Sequence, residues 1–194
     1  MRFALLLILT LILPETLRAQ AGSPMDSSER VSAAATALLK TGQIADKNRL
    51  QLGGWAGVVF GGRLAVGGGG LTLLHDVELK GAEGGTGFNL SLGYGGLYFR
   101  YWEPVIGRLA GEVGLLLGAG HAEVQDQLTR REVGADNFLV GEADFSLLHP
   151  IWRGLTVGAS VGYLLTAGVQ DLPGVSSSDL NSFTGAVFLR LGGG

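Results

Sequence analysis

The chain has 194 residues, of which 46% are hydrophobic and 16% are charged, and its formal net charge at pH 7 is −3. The charged fraction lies below the roughly 25% of an average soluble domain. A mildly acidic chain also lacks the basic surface that binds nucleic acid, so no nucleic-acid partner is expected. Cysteine is absent, which excludes disulfides and thiolate metal sites. This length predicts a single domain.

The N-terminus has the pattern of an export signal. Arg2 precedes an apolar run over residues 3–13, and Ala19 and Ala21 form a small-residue cleavage pattern. An uncleaved anchor is the alternative, but the run is shorter than the ~20 residues that a transmembrane helix needs. The predicted organisation is therefore a cleaved signal peptide at 1–21, a polar periplasmic lead-in at 22–30 and one folded domain at 31–194.

Alternation of apolar with small or polar residues dominates the rest of the chain. It is clearest over residues 155–165, where nearly every second residue is large and apolar. A period of two predicts β-strands, and about ten residues is the length of a tilted transmembrane strand. The predicted strands are 32–40, 49–60, 63–74, 87–101, 108–122, 137–148, 154–167 and 182–192.

The connections between these segments alternate between short and long. Short turns are predicted at 61–62, 102–107 and 149–153, and long polar loops at 75–86, 123–136 and 168–181. Outer-membrane barrels have short periplasmic turns and long external loops. The alanine-rich segment 31–40 would also suit a helix, but an exported chain must cross outward before residue 49, which favours a strand. The predicted fold is therefore all-β, an eight-stranded antiparallel up-and-down transmembrane β-barrel in the bacterial outer membrane.

Orienting the more apolar face of each strand toward lipid turns charged residues inward. This assignment places Arg63, Glu112, Glu142, Asp144 and Arg190 in the barrel lumen. Side chains fill the interior of an eight-stranded barrel, and buried charges there must be paired. We expect a structural ion-pair network in which Glu142 or Asp144 lies within salt-bridge distance of an arginine. Catalytic carboxylates are the less favoured interpretation.

Glycine is abundant, with 34 residues, and four of them are consecutive at 67–70. This run does not predict a phosphate-binding loop, because no Lys-Ser/Thr follows it and no helix begins there. The favoured interpretation is that small residues let inward side chains such as Trp55 pack across the lumen.

Three aromatic residues, Phe60, Trp102 and Trp152, lie in or beside the three short turns. Trp and Tyr collect at membrane interfaces because their rings have one apolar and one polar end. These positions are therefore predicted to mark the periplasmic interface.

Histidines at strand ends raise the alternative of a lipid-modifying enzyme. His75 with Asp76, and His121 with Glu123, fall at the predicted external rim. A catalytic serine needs an adjacent, oriented base, but no serine lies near either histidine in sequence. The histidines and loop carboxylates also lack metal-ligand spacing. No catalytic, cofactor-binding or metal-binding residue is therefore predicted.

Several stretches carry a family resemblance. The segments LGGWAGVVFGGRLAVGGGG (52–70), LGYGGLYFRY (92–101), LLLGAG (115–120) and GASVGYLLTAGVQDLPGVSSSDLNSFTGAVFLRLG (158–192) resemble a family of small, mostly uncharacterised bacterial outer-membrane β-barrel proteins, of the size of OmpX and found in Bacteroidota. The resemblance implies an outer-membrane barrel without an assigned activity.

The expected function is that of an integral outer-membrane β-barrel protein that is not an enzyme and has a structural or surface-interaction role. The alternatives are a lipid-modifying barrel enzyme and an exported soluble β-barrel that carries a lipid. No cofactor is expected. The expected partners are outer-membrane lipid and the barrel assembly machinery, and the protein is expected to be a monomer.

Overall fold

A computed structural model describes residues 31–44, 47–79, 87–129, 131–170, 172 and 175–193. The predicted signal peptide and lead-in lie outside the described residues. The described chain is almost entirely β-sheet, with one short helix. Its elements are β1 (Val31–Ile44), β2 (Lys47–Phe60), β3 (Leu64–Leu73), β4 (Val77–Leu79), β5 (Phe88–Ile106), β6 (Leu109–Asp126), β7 (Glu132–Trp152), β8 (Leu155–Ala167), α1 (Ser177–Leu180) and β9 (Ser182–Gly192).

All strands belong to one antiparallel sheet that closes on itself. Apart from β3 and β4, which do not pair with each other, each strand pairs with its neighbours in sequence, and β9 pairs back onto β1, with Arg190 opposite Thr36. Both β3 and β4 pair with β5, so they are two stretches of one barrel strand. The result is the predicted eight-stranded up-and-down barrel, and full closure leaves no free sheet edge.

Burial alternates along the strands as the sequence pattern predicts. In β1, the even-numbered residues from Ala34 to Ile44 are buried and the odd-numbered ones are exposed. The segment that could have been helical is therefore a strand, and the helical alternative is wrong. The exposed outer wall carries large apolar side chains, among them Leu139 and Phe183, whereas the inner face carries charged ones such as Glu112.

One end of the barrel, here called the turn end, carries the turns at residues 61–63, 107–108 and 153–154. In the first, Gly61 and Gly62 have φ of 57° and 69°, a conformation that suits glycine. The predicted turns at 102–107 and 149–153 are mostly strand. Pro104 and Pro150 lie at register shifts near the strand ends, where a missing N–H is tolerated.

The opposite end, here called the loop end, differs from prediction in its second hairpin. The predicted loop at 123–136 is largely strand, because β6 and β7 stay paired from Val124 opposite Gly134 to Gln125 opposite Glu132. The polar composition of this stretch therefore indicates a strand pair in a polar environment rather than the end of the strands. Within the part of the chain that the structure describes, no helix is both long and apolar enough to cross a membrane.

Candidate functional site: the barrel interior

The middle of the interior holds six ionisable side chains, here called the central charge layer: Lys40, Arg100, Arg190, Glu112, Glu142 and Asp144. Each carboxylate accepts at least one ion pair from a cation of this set. Three cations thus face three carboxylates. Such matching is necessary because an unpaired ion inside a protein costs several kcal/mol.

Two arginines share Glu112 at the lower side of the layer. Arg100 Nη1 lies 2.8 Å from Glu112 Oε1, and Arg190 Nη2 lies 2.6 Å from Glu112 Oε2. Arg100 also binds both oxygens of Asp144, at 3.0 and 2.9 Å. Paired, fork-like contacts of this kind fix the guanidinium orientation as well as its charge. This cluster joins β5, β6, β7 and β9 across the interior.

A second ion pair lies nearer the loop end. Lys40 Nζ lies 2.6 and 2.5 Å from the two carboxylate oxygens of Glu142, which also accepts a hydrogen bond from Thr184. Tyr94 lies 3.4 Å from Lys40 and donates to Gln51 at 2.9 Å. All five side chains are buried and hydrogen-bonded, which offsets the cost of removing them from water.

Aromatic rings surround the two arginines. The Trp55 ring centroid lies 5.9 Å from Arg100 Cζ and 5.3 Å from Arg190 Cζ, so this ring is within cation–π distance of both cations. Trp102 lies 4.9 Å from Arg190 Cζ. Cation–π attraction of this kind strengthens in a desolvated site. Trp102 therefore faces the interior and is not the outward interface anchor that its position predicted.

Glycines make room for these inward side chains. A Cβ on Gly69 would lie 2.7 Å from Trp55 Cβ, and one on Gly158 would lie 2.3 Å from Phe188 Cζ. A Cβ on Gly114 would come within 2.6 Å of Asp144 Oδ2 and 2.8 Å of Arg100 Nη1. The expectation that glycine permits bulky inward packing is confirmed at these positions.

The loop end of the interior is closed by apolar residues. Leu172, Val175 and Leu180, from the segment between β8 and β9, are buried in the same apolar cluster as Ile44 and Leu90. Helix α1 is held to β8, because the Thr166 hydroxyl donates to the carbonyl of Ser177 at 2.9 Å and the Thr166 backbone N–H donates to Asn181 Oδ1 at 2.6 Å. This apolar layer covers the central charge layer from the loop end.

Helix α1 begins with a capping box. Asp179 accepts hydrogen bonds from the Ser176 backbone N–H at 2.8 Å and from its hydroxyl at 2.6 Å. The hydroxyl hydrogen bond, followed by the backbone one, lowers the pKa of Asp179 below its ordinary value. The ionised carboxylate therefore stabilises the start of the segment that closes the loop end.

The space left between the side chains of the charge layer is about 10 Å³, which is enough for roughly one water. Below the layer, at the turn end, lies a larger cavity of about 350 Å³, here called the turn-end cup. Its lining includes Trp102, Leu148, Trp152 and Arg190. The described interior thus consists of an apolar cover, a filled charged middle and a cup open at one end.

Four of the five residues predicted in the lumen, Glu112, Glu142, Asp144 and Arg190, come together in the central charge layer. The placement of Arg63 is wrong. Arg63 belongs to the turn before β3, where strict alternation does not apply, and its exposed side chain pairs with Glu103 at 2.6 Å.

The residues predicted in the lumen do not include Lys40 and Arg100, the partners of Glu142 and Asp144. Both lie at positions whose side chains alternate into the barrel interior. For Arg100, the sequence signal is that both neighbours, Phe99 and Tyr101, are large aromatic residues. In the structure these two side chains are exposed on the outer wall, and Arg100 faces inward. For Lys40, the predicted strand ended at that residue, so its side was not assigned.

The histidines lie on the outer surface. His121 is exposed, and its Nδ1 lies 3.0 Å from Asn137 Oδ1 on β7. Ser91 is the serine that register brings nearest, opposite Glu123 and diagonal to His121. Among the described residues, no serine hydroxyl hydrogen-bonds to a histidine, and no group of three or more His, Cys, Asp or Glu could hold a metal ion.

Comparison with known proteins shows that the chain is similar in fold to solved structures. No protein-family model matches the chain, and no curated protein sequence matches it. The crystal structure of Neisserial surface protein A (NspA) is similar with a TM-score of 0.59 and 11% identity, over 83% of this chain and 96% of that one. The N-terminal β-barrel domain of Pseudomonas aeruginosa OprF is similar with a TM-score of 0.50 and 15% identity, over the same shares. At these identities the likeness supports the eight-stranded barrel fold alone.

Proposed function

We propose that the protein is an integral outer-membrane β-barrel without enzymatic activity, and that it has a structural or surface-interaction role. We propose an orientation in which the turn end faces the periplasm and the loop end faces the cell exterior. The proposal includes membership of the family of small outer-membrane barrels that the sequence resembles. Its expected partners are outer-membrane lipid and the barrel assembly machinery, and it is expected to act as a monomer.

This proposal rests on the distribution of polar and apolar side chains, which is the inverse of that in a soluble protein. Leu139 and Phe183 are 66% and 82% exposed on the outer wall, whereas Glu112 and Lys40 are 1% and 6% exposed inside. Water would not favour such an apolar wall, but a bilayer does. The soluble lipid carrier requires the reverse arrangement, with an apolar interior and a polar outside.

The interior favours a role at the surface over a role as a pore. The charge layer leaves room for about one water, and an apolar layer covers it from the loop end. What remains available to partners outside the cell is the loop end, where the β6–β7 hairpin projects. Asp126 orders its tip by accepting hydrogen bonds from the backbone N–H groups of Leu128 and Thr129, at 2.9 and 2.8 Å. Leu128, 77% exposed, lies at this tip and could contact a partner.

The lipid-modifying enzyme remains the alternative. It would use His121, which Asn137 orients, at the outer rim of the barrel. The absence of enzymatic activity is supported by the lack of an activated nucleophile beside His121 in the described residues. It is tested by incubating purified barrel with phospholipid and lipopolysaccharide and examining the lipids by mass spectrometry. Turnover that His121→Ala abolishes would replace the non-enzymatic proposal.

The membrane assignment is tested by fractionation. The full chain is expressed in a Gram-negative host, and the mature protein is followed by electrophoresis with and without boiling. We expect it in the outer-membrane fraction, with faster migration before boiling because the barrel resists detergent. Recovery in the soluble periplasmic fraction, with one mobility, would contradict the proposal.

A further inference from the structure

The turn-end cup has the volume and lining of a small-molecule site. Its volume of about 350 Å³ falls within the usual range for ligand pockets. Most of the strand residues that line it, among them Ala110, Leu148 and Arg190, have the inward parity of their strands, whereas Leu109 and Trp152 lie at the rim beside the turns. The cup therefore lies inside the barrel wall and opens along the barrel axis toward the solvent at the turn end.

The floor of the cup contains a buried guanidinium. Arg190 is 3% exposed and lines the cup. Its Nε lies 3.4 Å from Thr36 and its Nη2 binds Glu112, whereas its Nη1 donates to no described residue. Trp102 lies over the same guanidinium, with its ring centroid 4.9 Å from Cζ. A cation and a flat apolar surface are thus presented side by side.

The mouth of the cup is cationic. In the three turns at this end, Arg63 is paired with Glu103, but Arg108 and Arg153 form no ion pair with a described residue. Arg108 is itself part of the lining. Attraction of an anion toward the mouth follows from this charge distribution.

We propose that the turn-end cup binds a small aromatic carboxylate from the aqueous phase at the turn end. The carboxylate accepts from Arg190 Nη1 and is attracted by Arg108. The flat ring packs on Trp102 and against Pro104 and Pro150, which line the cup from β5 and β7. Stacking on aromatic faces and charge-assisted hydrogen bonds supply the affinity. A bilayer lipid does not reach the site, since the cup is separated from the outer wall by the strands.

The test uses 2-naphthoate as the probe and the three tryptophan indole N–H signals as the readout, in the folded mature protein. We expect saturable shifts of the Trp102 and Trp152 signals and an unchanged Trp55 signal, because Trp55 lies in the charge layer above the cup. The neutral analogue 2-naphthamide is expected to bind about tenfold more weakly or worse, since it lacks the charged acceptor. Equal affinity for the two probes would overturn the proposal.

Two variants locate the site. Ala110→Leu fills the cup from β6, and its matched control, Ala119→Leu, adds the same atoms to the outer wall of the same strand. We expect Ala110→Leu to abolish the shifts and Ala119→Leu to leave them intact. Arg108→Gln, an exposed change that leaves the charge layer untouched, is expected to weaken 2-naphthoate binding severalfold but not 2-naphthamide binding. Identical binding in all three variants would show that the probe lies elsewhere and would overturn the proposal.

Discussion

Lys40 and Glu142 meet across the interior of the barrel, with 2.5 Å between Nζ and Oε2, although β9 and β8 lie between their strands in the wall. Both side chains are less than 10% exposed. The bond therefore links the first strand to the strand carrying Glu142 independently of the backbone ladder. It also fixes which charges fill the middle of the lumen.

Removing one partner of this pair should destabilise the barrel strongly. In Lys40→Met, Glu142 stays buried with only Thr184 as a hydrogen-bond donor, and the expected cost is about 3–5 kcal/mol. The free energy of unfolding in lipid vesicles, measured with urea, checks this value.

The matched control is the double variant Lys40→Met/Glu142→Leu, which removes both charges. We expect it to recover most of the stability lost in Lys40→Met, because no uncompensated ion remains. If the losses of Lys40→Met and of the single variant Glu142→Leu simply add in the double variant, the pair is not coupled as described.

Gly158 should be intolerant of a side chain. A Cβ there would lie 2.3 Å from Phe188 Cζ, so Gly158→Ala is expected to cost about 1–3 kcal/mol through overpacking. Gly141→Ala is the control, since its Cβ would have nothing closer than Leu117 Cδ2 at 4.0 Å. The two variants are compared by thermal unfolding. Equal effects would contradict the inference that the Phe188 ring needs a glycine at position 158 in order to pack.

The fold was largely predictable because its main determinants are periodic. Alternation identified the strands, and the parity of crossings predicted that 31–40 is a strand despite its alanine content. Alternation also predicted correctly that four charged residues face the barrel interior: Glu112, Glu142, Asp144 and Arg190. It failed for Arg63, because the backbone of a turn no longer alternates its side chains.

Other features depend on more than the alternation of residues along each strand. Pairing partners in the interior come from opposite walls, so neither Lys40 nor Arg100 could be assigned to a carboxylate without the register of the closed barrel. The β6–β7 hairpin was mistaken for a loop because its exposed side chains are polar, although its backbone remains paired. The turn-end cup depends on how far each hairpin projects, which strand periodicity does not specify.

The closing segment at the loop end should loosen in acid. Ser176 lowers the pKa of Asp179, so the capping box contributes stability above the ordinary pKa of 3.8. That contribution is lost as pH falls through the lower pKa of the folded state. The protection factors of the amide hydrogens in the α1 segment, which correct for the intrinsic slowing of exchange in acid, should therefore fall in this acidic range.

Asp179→Asn is the control for this pH dependence, because it cannot ionise. We expect lower protection factors for the α1 segment in this variant at neutral pH and no further fall from this site in acid. Unchanged exchange at neutral pH would mean that the cap does not hold the segment.

The filled interior predicts the absence of a stable open pore. Side chains of the charge layer leave about 10 Å³, and the apolar layer covers them. Purified protein in a planar bilayer is expected to show no sustained conductance of the size produced by diffusion pores, in which water fills the lumen. A large, continuously open conductance would contradict the closed interior.

One matched pair of substitutions tests whether the apolar outer wall faces lipid. Leu117, in the middle of β6, and Leu128, at the hairpin tip, are both exposed, at 51% and 77%. Folding free energies are measured in lipid vesicles for Leu117→Arg and Leu128→Arg. If lipid covers the wall, Leu117→Arg costs about 2–4 kcal/mol while Leu128→Arg stays near zero. Equal and small effects at the two positions would place the wall in water and contradict the account.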